Sequence, residues 1–70
     1  MKITLHFYEC EHQGDMDTYL EDVRASGATV LSSNVNHDAE TGSTEITVPD
    51  EDRDEFWKKF KETNAYEYLN

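Results

Sequence analysis

The chain has 70 residues, 16 of them Asp or Glu and 6 Lys or Arg, for a net charge of −10. A domain this short buries only about 60% of its unfolded surface, so it offers a surface, an edge or a seam rather than a deep pocket. The charge excludes unaided binding to DNA, RNA or anionic membranes, which require clustered Lys and Arg. It leaves a basic partner, plain solubility or halophilic adaptation. Lys outnumbers Arg and Glu outnumbers Asp, which counts against the last of these.

The single cysteine, Cys10, has no internal disulfide partner. A small domain without a disulfide fits a reducing cytoplasm. No apolar run approaches the roughly 20 residues of a membrane span, and Met1-Lys2-Ile3 leads straight into a strand pattern, so no signal peptide is expected.

Along Lys2–Tyr8, Ile3, Leu5 and Phe7 alternate with Thr4, His6 and Tyr8. This period of two predicts a half-buried strand. Glu9–Gly14 is a polar loop closed by glycine. Asp15 is placed to cap a helix, in which Met16, Tyr19, Leu20 and Val23 recur at helical spacing and Gly27 supplies the terminator. Ala28–His37 reads as a second strand, Asp38–Gly42 as a hairpin turn with glycine near its end, and Ser43–Val48 as the return strand. That strand sets Thr44, Ile46 and Val48 against Glu45 and Thr47.

Pro49 ends the strand, and Asp50 caps a second helix. Its apolar stripe is Phe56 and Phe60 with either Arg53 or Trp57. Acids fill its first turn and Lys58, Lys59 and Lys61 its last, each favourable to the helix dipole. Ala65–Leu69 is short and aromatic, and is expected as an edge strand. The order β-α-β-β-α-β is that of the ferredoxin-like split βαβ motif. The expected fold is therefore a single α+β domain over residues 1–70, with a four-stranded antiparallel sheet and two helices on one face.

With the first and third strands as parallel neighbours, the two helix starts would share one end of the sheet. Glu9, Glu11, Asp15 and Asp17 would then meet Asp50, Glu51, Asp52, Asp54 and Glu55 in one acidic pole, with carboxylates from Asp15 to Glu21 and from Asp50 to Glu55 available to stand in for phosphates. One or two acids per helix start need only the dipole to explain them, at about 0.3–1 kcal/mol each. A crowd of them at one end also repels itself, and such a cost points to a partner. Carboxylates in a row can occupy a channel built for phosphates, with Tyr8 or Trp57 as an anchoring contact. In size and charge the chain resembles the small acidic inhibitors of phages and mobile elements, of the anti-CRISPR and anti-restriction kind. That likeness implies a nucleic-acid mimic that binds a basic nucleic-acid-handling protein, with no catalysis and no cofactor. The alternative is a small regulatory or ligand-binding module that forms a homodimer through its open sheet face.

Other chemistries find little support. Asp50-Glu51-Asp52-Arg53-Asp54 has the alternation of a calcium loop, but Glu55 stands where the loop needs glycine and Lys61 where it needs a bidentate Glu. Cys10 and His12, with His6 and His37, do not make a convergent zinc set, and Cys10-Glu11-His12 lacks the third group of a nucleophilic site. Cys10 is expected as a loop thiol and the histidines as solvent-exposed. The Tyr8–His6 face resembles the one on which RNA-recognition domains stack bases, but lacks their basic residues.

Overall fold

A computed structural model describes all residues, Met1–Asn70. Strand β1 is Lys2–Tyr8, helix α1 is Gln13–Ala25, strand β2 is Thr29–Asn36 and strand β3 is Thr41–Thr47. A 3-10 turn, Asp50–Asp52, leads into helix α2, Arg53–Phe60, and a second 3-10 segment spans Asn64–Tyr68. The result is an α+β fold with a three-stranded antiparallel sheet and two helices.

The sheet order is β1-β3-β2, with β3 antiparallel to both neighbours. Lys2 lies opposite Thr47 and Tyr8 opposite Thr41. This corrects the expectation of parallel β1 and β3. A strand returning from a hairpin with β2 must run against β2, and α1 carries β2 back parallel to β1, so β3 between them opposes both.

The alternation pattern places the sheet's inner row as expected. Leu5, Phe7, Thr44, Ile46 and Val48 are buried, while Lys2, Thr4, His6 and Tyr8 face the open side. Helix α1 closes the core with Met16, Tyr19, Leu20 and Val23, and α2 with Phe56 and Phe60. Trp57, not Arg53, completes the α2 stripe: its ring lies 5.2 Å from that of Phe56 and 6.2 Å from that of Phe60.

Helix α1 begins two residues before the expected cap. His12 is the N-cap, and Asp15 sits in the first turn, where its Oδ2 accepts the Glu11 N–H at 3.0 Å. The carboxylate thus still satisfies a backbone donor at the helix start, reaching back from within the helix. The helix ends as expected at Gly27, which has φ +105°. Gly27 N–H donates to Arg24 C=O and Ala28 N–H to Val23 C=O, the paired bonds of a Schellman terminus.

The hairpin turn departs from expectation. The left-handed position belongs to Glu40, with φ +55°, and Gly42 lies inside β3. Gly42 is there for space. A Cβ would fall 2.8 Å from Cys10 Sγ and closer still to Met16 Cε.

Ala65–Leu69 does not form a strand. Ala65 is 1% exposed and its N–H donates to Asp22 Oδ2 at 3.1 Å, while the Tyr68 ring stacks 5.2 Å from Tyr19. Burying Ala65 and Tyr68 against α1 coils the segment into a 3-10 helix, and the chain reaches the sheet only at Leu69, in a single antiparallel bridge to Phe7, and at Asn70, whose N–H donates to His6 C=O.

Candidate functional site

The antiparallel register separates the two acidic helix starts. Glu9–Asp17 follow the C-terminal end of β1, whereas Asp50 follows β3, beside the start of β1, with its Oδ1 3.2 Å from the Met1 amino group. A seven-residue strand spans about 20 Å, so the two groups lie at opposite ends of the sheet. The single pole expected from the sequence is therefore two poles. At physiological salt the screening length is about 8 Å, so they hardly repel each other.

The first end is the more acidic. Glu9, Glu11, Asp15 and Asp17 are joined there by Asp38 and Glu40, because the β2–β3 hairpin turns beside the end of β1. The connections interlock through the backbone. Cys10 N–H donates to Glu40 C=O at 3.0 Å, His37 Nδ1 to Glu11 C=O at 2.6 Å, and the Tyr19 hydroxyl to Glu9 C=O at 2.8 Å. Both Glu9 and Glu40 hold positive φ, +53° and +55°. No Lys or Arg lies within ion-pair distance of any of these six carboxylates; the one ring nitrogen close to them is His12 Nδ1, 3.7 Å from Asp15. Asp15 and Asp17 also have local duties, since Asp17 Oδ1 accepts from Gln13 Nε2 at 2.9 Å. Glu21 is exposed on α1, away from this end.

The second end is partly neutralised. Glu51 and Asp52 are exposed and unpaired, but Arg53 lies 3.8 Å from Asp54 and Lys59 lies 4.0 Å from Glu55. The charge run most conspicuous in the sequence is thus the weaker of the two. Asp38 and Glu40 were missed at the first end because their place depends on strand order. The sequence signal was there in the hairpin, whose turn must lie at the β1 C-terminal end in any sheet where β3 pairs antiparallel with β1.

Charge is also divided between layers. The three strands contain one acid, Glu45, and one base, Lys2, 3.2 Å apart. The remaining fifteen acids and five Lys and Arg residues lie in the helices, 3-10 segments and connections, so the full net charge of −10 resides outside the sheet.

The anchoring aromatics are constrained. Tyr8 is 42% exposed on the open face, opposite Thr41, but its hydroxyl donates to Glu67 C=O at 2.7 Å and Tyr68 meets it edge-on at 6.1 Å. Trp57 is half-buried against Phe56 and Phe60, in a shallow groove that it shares with Lys58 and Lys61 and with the acids Asp54 and Glu62.

Cys10 lies in the loop after β1, as expected, but its side chain turns into the core. It is fully buried, and burial followed by the nearby Asp15 carboxylate raises its pKa, the opposite of what a nucleophile needs. Its apolar neighbourhood at Gly42 and Met16 makes it a core residue. His6, His12 and His37 are exposed, as expected. Tyr19 is pushed up to about 12, by burial first and by Asp15 next.

Comparison with family models, with characterised proteins and with solved structures gives no match to this chain.

Proposed function

We propose that this is a small acidic binding protein whose helical layer and loops engage a basic protein surface, most concretely as a nucleic-acid mimic that inhibits a nucleic-acid-handling protein. The observation that carries the proposal is the placement of all the net charge outside the sheet, with six carboxylates at the β1 C-terminal end unneutralised by Lys or Arg. The charge density suits the role. A net charge of −10 along a longest dimension of 37 Å amounts to about one per 3.7 Å, close to the 3.4 Å of a single strand and about half the density of duplex DNA. Two poles about 20 Å apart would engage two sites along a phosphate channel.

In the same reading the fold is a reduced ferredoxin-like arrangement: β1-β3-β2 is its strand order, and the Leu69–Phe7 bridge stands where a fourth strand would pair with β1. The lone, buried Cys10 is consistent with a reducing cytoplasm. The role requires no catalysis or cofactor.

The test is competition. A partner captured on the immobilised protein should be released by duplex DNA and by salt. Reversal of Glu9, Glu11, Asp38 and Glu40 to Lys should weaken capture by about tenfold or more, the scale of interfacial charge pairs. Release by salt but not by DNA, or unchanged capture by the reversed variant, would reject mimicry.

A second reading has one observation behind it. The open sheet face is neutral overall, so two copies can meet there without direct repulsion. Its extent is small, about 20 Å by 14 Å, against roughly 800 Å² per partner in a standard interface. Sedimentation at high concentration decides it, and a strict monomer excludes the sheet-mediated homodimer.

A further inference from the structure

The two edges of β1 are in different states. Its odd-numbered residues face β3: Met1 and Val48 exchange hydrogen bonds of 2.9 and 3.0 Å, and the unbroken register sets Ile3, Leu5 and Phe7 in the same phase. The even-numbered residues aim their N–H and C=O groups outward. At His6 the C=O accepts the Asn70 N–H at 2.8 Å, and Leu69 forms its bridge to Phe7 alongside. Leu69 and Asn70 thus begin a strand line antiparallel to β1. Below them, Lys2 and Thr4 have no backbone hydrogen bond on the outer side. The inner row loses cover in the same direction: Phe7 is 0% exposed, Leu5 3%, and Ile3 only half-buried.

We propose that the outer edge of β1, from Lys2 to Leu5, receives an extended segment of another protein as a fourth strand, antiparallel to β1 and alternating apolar with basic residues. Unpaired strand groups in regular alternation are matched by another extended backbone. The direction and phase are set by the Asn70–His6 bond. The apolar residues would lie on the helix side beside Ile3 and Leu5. The basic character follows from the net charge of −10, which draws a cationic segment toward the protein, although at the edge itself Asp50 is paired with the Met1 amino group. The one base on that edge, Lys2, is already drawn across the open face to Glu45. The β2 edge is the poorer template, because a bulge between Val30 and Ser32 breaks its regular spacing. The inference goes beyond the nucleic-acid-mimic reading and does not need it, since the edge is neutral and lies apart from the acids at the β1 C-terminal end.

The probe is a capped six-residue peptide, Val-Lys-Val-Lys-Val-Lys, with amide exchange followed by NMR. At nine times its Kd, exchange of the Thr4 N–H should slow about tenfold, because only the free fraction exchanges. The same peptide with every backbone amide methylated keeps its charge but has no donors, and should give no protection. Thr4→Pro removes that N–H and should abolish the peptide's protection of the Lys2 N–H, the next outward amide along the edge. The Thr4 N–H does not face β3, so proline takes no bond from the sheet; if that variant does not fold, the methylated peptide still decides. Equal effects of the two peptides, or shifts confined to α1 and α2, would overturn the proposal. So would a Thr4 N–H already protected without peptide in a sedimenting dimer, which would assign the edge to a second copy. Reversing Glu9, Glu11, Asp38 and Glu40 to Lys should leave Thr4 protection in place, which separates this test from that of the mimic.

Discussion

Replacing Gly42 with Ala tests how the core is closed between β3 and α1. The added methyl points inward from β3, 2.8 Å from Cys10 Sγ and nearer still to Met16 Cε. The Met16 methyl is the end of a flexible chain and can turn aside. Cys10 has one rotatable bond and is fully buried, so it cannot retreat. Overpacking of this kind costs about 1–3 kcal/mol, and removing a strand glycine returns about 0.5–1 kcal/mol. The net expectation is a loss of roughly 1–2 kcal/mol. At about 4–8 °C per kcal/mol for a domain of this size, Tm should fall by about 4–16 °C. The decisive measurement is a thermodynamic cycle with Cys10→Ala, by chemical denaturation. Without the sulfur, the cost of Gly42→Ala should shrink by at least about 0.5 kcal/mol. A Gly42→Ala protein within about 0.5 kcal/mol of the parent, or no coupling to Cys10, would show that steric closure is not why glycine stands there.

Three further outcomes are expected. Glu40→Gly should raise stability by about 0.5 kcal/mol, because relief of a left-handed residue returns about 1–2 kcal/mol against a glycine entropy cost of about 0.5–1 kcal/mol; a lower melting temperature would refute it. Tyr19 keeps its proton to about pH 12 when folded but ionises near 10 when unfolded, so the unfolded state binds fewer protons and stability should fall by roughly 2–3 kcal/mol as pH rises between those values. Tyr19→Phe, lacking the bond to Glu9 C=O, should be about 1 kcal/mol less stable at pH 7 yet free of that alkaline loss, with the two curves crossing near pH 11; parallel curves would reject the assignment. Raising salt from about 0.01 to 0.15 M shortens screening from roughly 30 to 8 Å and should stabilise the protein by roughly 0.5–1 kcal/mol, about 2–8 °C in Tm, since the acids at the β1 C-terminal end repel one another without Lys or Arg between them. A melting temperature indifferent to salt would mean the poles store little repulsion.

Local order was determined by the sequence itself. Alternation in Lys2–Tyr8 and Ser43–Val48 and helical spacing of Met16, Tyr19, Leu20 and Val23 decide which faces are apolar, and Gly27 carries its own conformational reason for ending α1. These features depend on neighbours within about a turn or a strand. Only the tertiary structure decided what depends on chain direction and on competition for the core. The direction of β3 relative to β1 splits the expected acidic pole in two and brings Asp38 and Glu40, distant in sequence, beside Glu9 and Glu11. Burial of Ala65 and Tyr68 against α1 outweighs the strand preference of an aromatic segment, leaving the lower edge of β1 open. Cys10 became core for the same kind of reason: Gly42, 32 residues away, makes the space that the thiol fills.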